Sequence, residues 1–423
     1  MLGKIIKAFK LKDIRNKILI VALILMFFRL LANIPIPGVD EKALSNFFSS
    51  SQLFGFLNIF SGGALSNLSI AMLGLSPYIT AIIIMQLLTM VFPALKSMYY
   101  EEGELGKAKF NRISRYLTVP LGAMQGFGFL KLLASQGVIP NFTTTEILVN
   151  VTVIVAGSMV LVWLGELIDE QKIGNGVSIL IMAGILSGLP IAVRNALLSY
   201  TPSDLITYGS FIVLTLVVIA SIVMINEGER KVPISYARRV RGNKLYGGVS
   251  SYLPFRVGQA GVIPIIFAIS LLIFPQFFGQ IVSIVSADFG AKVNQVTANF
   301  MGNQWLYGSV YFFLVFVFTY FYIGITFDPE EISKNLQRSG GFIPGIRPGH
   351  PTAIYLKSVV SRVTLFGAVF LGLVAILPLL TQAVTGTQAL TIGGTSILIT
   401  VAVALDMAKQ IDSQVIVREY EGA

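Results

Sequence analysis

With 423 residues, 54% of them hydrophobic and only 12% charged, the chain reads as an integral membrane protein rather than a soluble domain. The absence of cysteine excludes disulfides, thiolate metal sites and cysteine nucleophiles, and the single histidine, His350, excludes a two-histidine metal centre. A net charge of +10 is compatible with nucleic acid or anionic lipid as partner, so its placement along the chain has to decide.

Residues 1–17 carry six lysines and arginines, and Ile18 to Ala32 is apolar. No small-residue cleavage pattern follows, which predicts an uncleaved first helix. Phe54 to Asn67 is apolar but too short to cross a bilayer core, which takes about 20 residues, and Gly62-Gly63 breaks it. It leads directly into Ile70–Val91, which is long enough. A short apolar piece hinged onto a full span predicts a segment that enters the membrane without crossing it. Backbone of that kind persists at membrane depth only beside protein or a water-filled cavity. Further spans are predicted at 113–135, 146–168, 176–199, 205–226, 258–282, 305–327, 360–384 and 392–411, ten in all.

Two phrases occur twice. Gly74-x-x-Pro77-x-Ile79 has a counterpart in Gly261-x-x-Pro264-x-Ile266, and Gly176-Val-Ser-Ile-Leu-Ile181 in Gly394-Thr-Ser-Ile-Leu-Ile399. The first pair opens the second span of each half and the second pair the fifth, which predicts an internal repeat. The expected architecture is an all-α membrane protein of ten transmembrane helices, in two inverted five-helix halves around a central pore. The halves are residues 1–200 and 201–423. Five spans per half is an odd number, so the second half enters from the opposite side.

Of the 31 lysines and arginines, 26 lie in or beside the segments on the N-terminal side. Lys42, Arg194 and Lys292 lie opposite, and Arg29 and Lys131 fall inside spans. This asymmetry predicts both termini in the cytoplasm and accounts for most of the basic charge.

Inverted repeats often belong to secondary transporters, but ion-coupled transport calls for ionisable groups near the midplane, and the spans hold almost none. The repeated phrases instead offer Leu75, Ile79, Val177, Ile181, Ile266 and Ile399. Brought together on the axis, these form an apolar constriction that blocks ions by dewetting; kept apart, they are ordinary interhelical packing. An intramembrane protease lacks support, with no HExxH motif and no aspartate pair at mid-span. No phosphate-binding Gly-x-x-x-x-Gly-Lys-Ser/Thr loop occurs, so energy must come from a partner. No cofactor is called for.

Two loops on the basic side are long: 227–257, with Arg230, Lys231, Arg238, Arg239, Arg241, Lys244 and Arg256, and 328–359, with Lys334, Arg338, Arg347 and Lys357. Topology needs charge but not thirty residues punctuated as in Ile343-Pro-Gly-Ile-Arg-Pro-Gly349. They read either as a docking surface for a cytosolic partner or as topology signals with lipid headgroup contacts.

The segments FSGGALS (60–66), SPYI (76–79), EEGELGKAKFNRISRY (101–116), WLGELIDEQKIGNGVSILI (163–181), GVIPIIFA (261–268), NLQRSGGFIPGIRPG (335–349) and GGTSILI (393–399) resemble the bacterial SecY family along the whole chain. The resemblance implies the large subunit of a channel in the plasma membrane, through which secretory proteins cross and membrane proteins are released laterally. It implies a plug at 54–67, including Phe60, Ser61, Gly62, Gly63, Ala64 and Leu65, and a pore ring made of the six aliphatic residues. It also implies a lateral gate framed by spans 2, 3, 7 and 8. Its implied partners are the small membrane subunits SecE and SecG, the SecA motor ATPase, the ribosome, signal peptides, nascent secretory or membrane proteins, and the lipid bilayer. Arg347 matches the family's critical loop arginine. Two places depart. The family's Gly-Arg-Arg-x-Tyr is here Gly242-Asn243-Lys244-Leu245-Tyr246, which loses the bidentate guanidinium fork. At the gate, Thr80 and Gln125 match polar positions, but an asparagine expected early in span 7 is Gly258, with Gln259 beside it.

Overall fold

A computed structural model describes residues 11–36, 64–65, 67–100, 102–135, 139, 143–198, 205–236, 239–241, 244–246, 250–385 and 394–421. In chain order the helices of the first half are α1 (Lys12–Leu31), α2 (Ser76–Val91), α3 (Pro93–Tyr100), α4 (Gly103–Ser135), α5 (Thr144–Glu170) and α6 (Gly176–Leu198). Then follow α7 (Leu205–Glu227), strands β1 (Glu229–Tyr236), β2 (Arg239–Arg241), β3 (Lys244–Tyr246) and β4 (Ser250–Arg256), and helices α8 (Ile263–Val285), α9 (Ala287–Gly302) and α10 (Gln304–Thr326). The chain closes with α11 (Pro329–Arg338), β5 (Gly341–Phe342), α12 (His350–Thr385) and α13 (Gly394–Glu421).

A helix occupies each region where a span is predicted, but length and composition single out fewer crossings. Among the described residues, five helical stretches, in α4, α5, α7, α10 and α12, are long and apolar enough to cross a membrane. A sixth is reached if α2 and α3, bent by 115°, count as one. The expected span at 70–91 is helical only from Ser76 and turns sharply at Phe92, while α6 and α8 are continuous 23-residue helices that carry Pro190 and Pro275 within them. Other helices outrun their predicted spans: α4 starts at Gly103 and α12 at His350, because hydropathy detects only the apolar part of a continuous helix.

The two copies of each repeated phrase adopt the same local structure. Gly74 and Gly261 have left-handed backbone, φ 56° and 59°. The next residue, Leu75 or Val262, is the N-cap, and Pro77 or Pro264 follows within the first two helical positions. Proline there sacrifices no intrahelical bond, and glycine accepts the positive φ at no steric cost. The other pair opens α6 at Gly176 and α13 at Gly394.

Helix neighbours repeat as well. α2 packs on α4, α4 on α5 and α5 on α6; likewise α8 packs on α10, α10 on α12 and α12 on α13. The two sets meet along two seams, one where α8 lies against α2 and α4, the other where α13 lies against α6 and α1. Lipid tails are as apolar as leucine, so small residues that let backbones approach do much of the interhelical work. A Cβ at Gly157 would collide with the Ile70 carbonyl, and one at Gly176 with the Gly165 carbonyl. By contrast α7 is mostly exposed, with Ile212, Val213, Leu216 and Val217 turned outward, as suits a lipid-facing helix.

The expectation of an all-α chain needs correction. β1 pairs antiparallel with β4 and, through Ser235↔Phe342 and Tyr236↔Gly341, with β5. Strands from the two long basic loops therefore share one sheet, and β2 and β3 form a separate hairpin. Val232 and Ile234 are buried on either side of exposed Pro233, a period-two pattern only a few residues long and easily lost among the charges.

Candidate functional site

Leu75, Ile79, Ile181, Ile266 and Ile399 are buried, Ile399 completely, in one continuous apolar cluster, and partly buried Val177 packs against it. The repeat places them. Leu75 accepts the Ile79 N–H at 3.0 Å, and in the second copy Val262 accepts that of Ile266 at 3.3 Å. Val177 and Ile181 stand in the first turns of α6, and Ile399 in α13 matches Ile181. Six aliphatic side chains from four helix starts thus belong to one apolar core.

Of the plug residues, Phe60, Ser61, Gly62 and Gly63 lie outside the described residues. Ala64 and Leu65 are buried in the same cluster. Residues 67–75 are not helical, and several of their backbone groups bond to one another, to Ala64 or Leu65, or to Ile34 and Ile36. Ile36 N–H donates to the Leu68 carbonyl at 2.8 Å, Ile70 N–H to that of Ile34 at 3.0 Å, and Ser69 N–H to that of Ala64 at 2.9 Å. The Ser69 hydroxyl accepts from Ala71 N–H at 3.2 Å. Irregular backbone at this depth requires such bonds.

The polar positions expected at the gate are only partly brought together. Gln125 Nε2 on α4 donates to Thr80 Oγ1 on α2 at 3.4 Å, and Thr80 donates to the Ser76 carbonyl at 2.9 Å. Both side chains are buried. Gln259 is exposed. Gly258 faces Asn226 at the end of α7, whose carboxamide oxygen stands where a Cβ at 258 would be. A side-chain amide is therefore present beside this turn, but it comes from another helix. Only the polar interruption at Asn226 in an otherwise apolar run could have pointed to it. Gly258→Asn is expected to crowd the turn at a cost of roughly 1–3 kcal/mol. Combining it with Asn226→Ala, which leaves a single amide, should recover most of the loss, as thermal unfolding in detergent would report. Equal unfolding temperatures for the single and double variants would mean that the two side chains do not compete.

On the basic face, Arg239, Arg241 and Lys244 lie on the β2–β3 hairpin, and Arg238 lies outside the described residues. Arg338 is exposed in the last turn of α11. Lys357, expected in a loop, is exposed on α12, because that helix begins seven residues earlier at His350. Arg347 projects into solvent from a turn held by its backbone. Gly345 and Gly349 are left-handed, φ 83° and 96°, and Ile346 N–H donates to the Ile343 carbonyl at 3.0 Å. Two buried hydroxyls anchor the far side: Thr352 Oγ1 donates to the Arg347 carbonyl at 2.9 Å, and Ser333 Oγ to that of Gly349 at 2.7 Å. Sequence reasoning located the arginine but missed both anchors, which read as ordinary helix residues.

The described features are thus repeated helix starts whose aliphatic side chains belong to one apolar core, and an ordered basic face. That is the anatomy of a membrane channel subunit rather than of an enzyme. The SecY family model matches residues 69–408. Protein translocase subunit SecY of Streptomyces scabiei is 42% identical over 448 residues, covering 100% of this chain and 99% of that protein. The same subunit of Thermotoga maritima is 42% identical, covering 98% and 96%. Among solved structures, "The structure of a protein conducting channel" superposes with a TM-score of 0.64 at 18% identity, over 93% of this chain and 90% of that one. "Sec61 in the Canine ribosome-channel complex from the endoplasmic reticulum" gives 0.60 at 18% identity with the same coverage. The chain belongs to the SecY family.

Proposed function

We propose that this chain is the central subunit of a protein-conducting channel, passing unfolded secretory polypeptides across the plasma membrane and releasing membrane segments laterally. One observation carries the reading: aliphatic side chains from four repeated helix starts belong to a single apolar cluster. Such a collar seals against ions by dewetting and makes no sequence-specific bond with a passing chain. In this reading Leu75, Ile79, Val177, Ile181, Ile266 and Ile399 form the ring, and residues 54–67 form the plug beneath it. All ten helical regions span the membrane as two inverted halves, with α2, α4, α8 and α10 framing the lateral gate. Both termini are cytoplasmic, as the lysine and arginine asymmetry requires. The two basic loops, with Arg238, Arg239, Arg241, Lys244, Arg338, Arg347 and Lys357, are the docking face for a SecA motor or a ribosome, while SecE and SecG are the small membrane subunits alongside.

The direct test is to stall a secretory precursor in membranes and place a photo-crosslinker at residues 75, 181 and 266. Adducts with the precursor at all three positions are expected. Their absence, with adducts only to lipid, would return these residues to interhelical packing.

A further inference from the structure

The constriction depends on where α6 begins, and its beginning is set by a side chain from the preceding helix. Asp169 lies in the last turn of α5, and its Oδ1 accepts the Gly176 N–H, the first of α6, at 2.7 Å. Two residues on, the Ser178 N–H donates to Asn175 Oδ1 at 3.0 Å, and the Ile179 N–H to the Asn175 carbonyl at 2.9 Å. The first N–H groups of a helix have no partner within it, and side-chain acceptors supply one. A carboxylate there also suits the positive end of the helix dipole. The seven-residue interval is an unusual reach. It works because the intervening turn doubles back: Lys172 has left-handed backbone, φ 57°, and its N–H donates to the Asp169 carbonyl at 3.0 Å. Gln414 on α13 donates to the Lys172 carbonyl, which ties the turn to the other half.

Contact in the other direction is just as close. Gly176 abuts the Gly165 carbonyl so tightly that no Cβ fits, and Ile173 is fully buried. Val177 follows immediately, with Ile181 one turn beyond. A change in the first turn of α6 therefore moves both, since the backbone between them is continuous helix.

We propose that Asp169, with Asn175, is a positioning residue for the constriction, holding the first turn of α6 so that Val177 and Ile181 stand at their depth in the apolar cluster. The inference rests on the reading of those two residues as part of the ring. Asp169 touches no translocating chain; it acts through the α6 backbone.

The absence of native cysteine gives a readout independent of translocation. A single Ile181→Cys chain is labelled in membrane vesicles with a water-soluble maleimide, with Thr319→Cys on α10 as a buried control. Asp169→Ala is expected to raise labelling at 181 roughly fivefold, the factor set by losing a typical helix cap. Asp169→Asn, which keeps an acceptor oxygen, should stay near the parent. Asn175→Ala should also raise it and serves in place of Asp169→Ala if that chain fails to accumulate. Labelling at 319 should not change. Unchanged labelling at 181 in both alanine variants would overturn the proposal. So would an equal rise at 319, which indicates general loosening, or Asp169→Asn behaving like Asp169→Ala. If Ile181 shifts as expected but charges placed in the ring leave conductance unaltered, the positioning of α6 stands and the ring reading alone fails.

Discussion

Ile79→Asp and Ile266→Asp are each expected to raise the resting ion conductance of the reconstituted channel by one to two orders of magnitude. Both isoleucines are buried in the shared cluster and stand at equivalent places in the two copies of the first repeated phrase. Placing an aspartate in mid-membrane costs roughly 2.5–3.5 kcal/mol on insertion scales. The charge recovers that energy only by drawing water into the constriction. The balance between dry and hydrated states therefore moves by a factor of roughly a hundred. A serine at either position, uncharged and cheaper to bury, should give a much smaller increase. Planar-bilayer recordings without precursor are the measurement. Conductance equal to the parent in both aspartate variants would remove these residues from any seal. An effect at one position only would argue against a ring fed by both halves.

Arg347→Glu is expected to abolish partner-driven translocation while expression, topology and resting conductance stay as in the parent. Orientation follows the summed lysines and arginines near the span ends, so losing one among several does not invert the protein. In the proposed docking role a particular group matters: a guanidinium binds carboxylate or phosphate through two parallel hydrogen bonds, which a lysine point charge cannot reproduce. The turn around Arg347 is fixed by two left-handed glycines and by the Thr352 and Ser333 hydroxyls, so the side chain is presented from a rigid base. Losing a docked charge pair costs about 2–5 kcal/mol, enough to reduce partner affinity thirtyfold or more. Arg347→Lys should be intermediate. Lys357→Glu makes the same charge change on the exposed side of α12 and should be mild. Comparable damage from Lys357→Glu and Arg347→Glu would reduce this face to bulk charge, as would a topology change in either variant. The readout is import of a secretory precursor into vesicles with the soluble motor added.

Local features of this protein were readable from its residues alone. Membrane character, the helical regions, the two repeated phrases and the Arg347 turn rest on composition, short-range hydropathy and the turn chemistry of glycine and proline. Each works within a few residues of itself. The phrase Gly-x-x-Pro is a clear case: left-handed glycine, then N-cap, then proline in the first turn follow from φ preferences and need no neighbour.

What only the tertiary structure decided are the partnerships. Asn226 stands out as a polar break in an apolar run, but the sequence does not say that its amide fills the space at Gly258, thirty-two residues later. Nothing near Tyr236 indicates that β1 pairs with the strand at Gly341, joining loops that read as separate. Asp169 looks like one more carboxylate at the end of a span until its oxygen is found on Gly176. In a water-soluble fold, the stripe of apolar residues on a helix announces which face turns inward. Here nearly every face is apolar, since lipid is as good a neighbour as another helix, and the pattern loses its direction. The choice among faces then falls to small residues that admit a backbone, such as Gly157 and Gly176, and to a few polar atoms that must find a partner away from water. Both are satisfied by groups distant in the chain, which is why they appear only when the chain is folded.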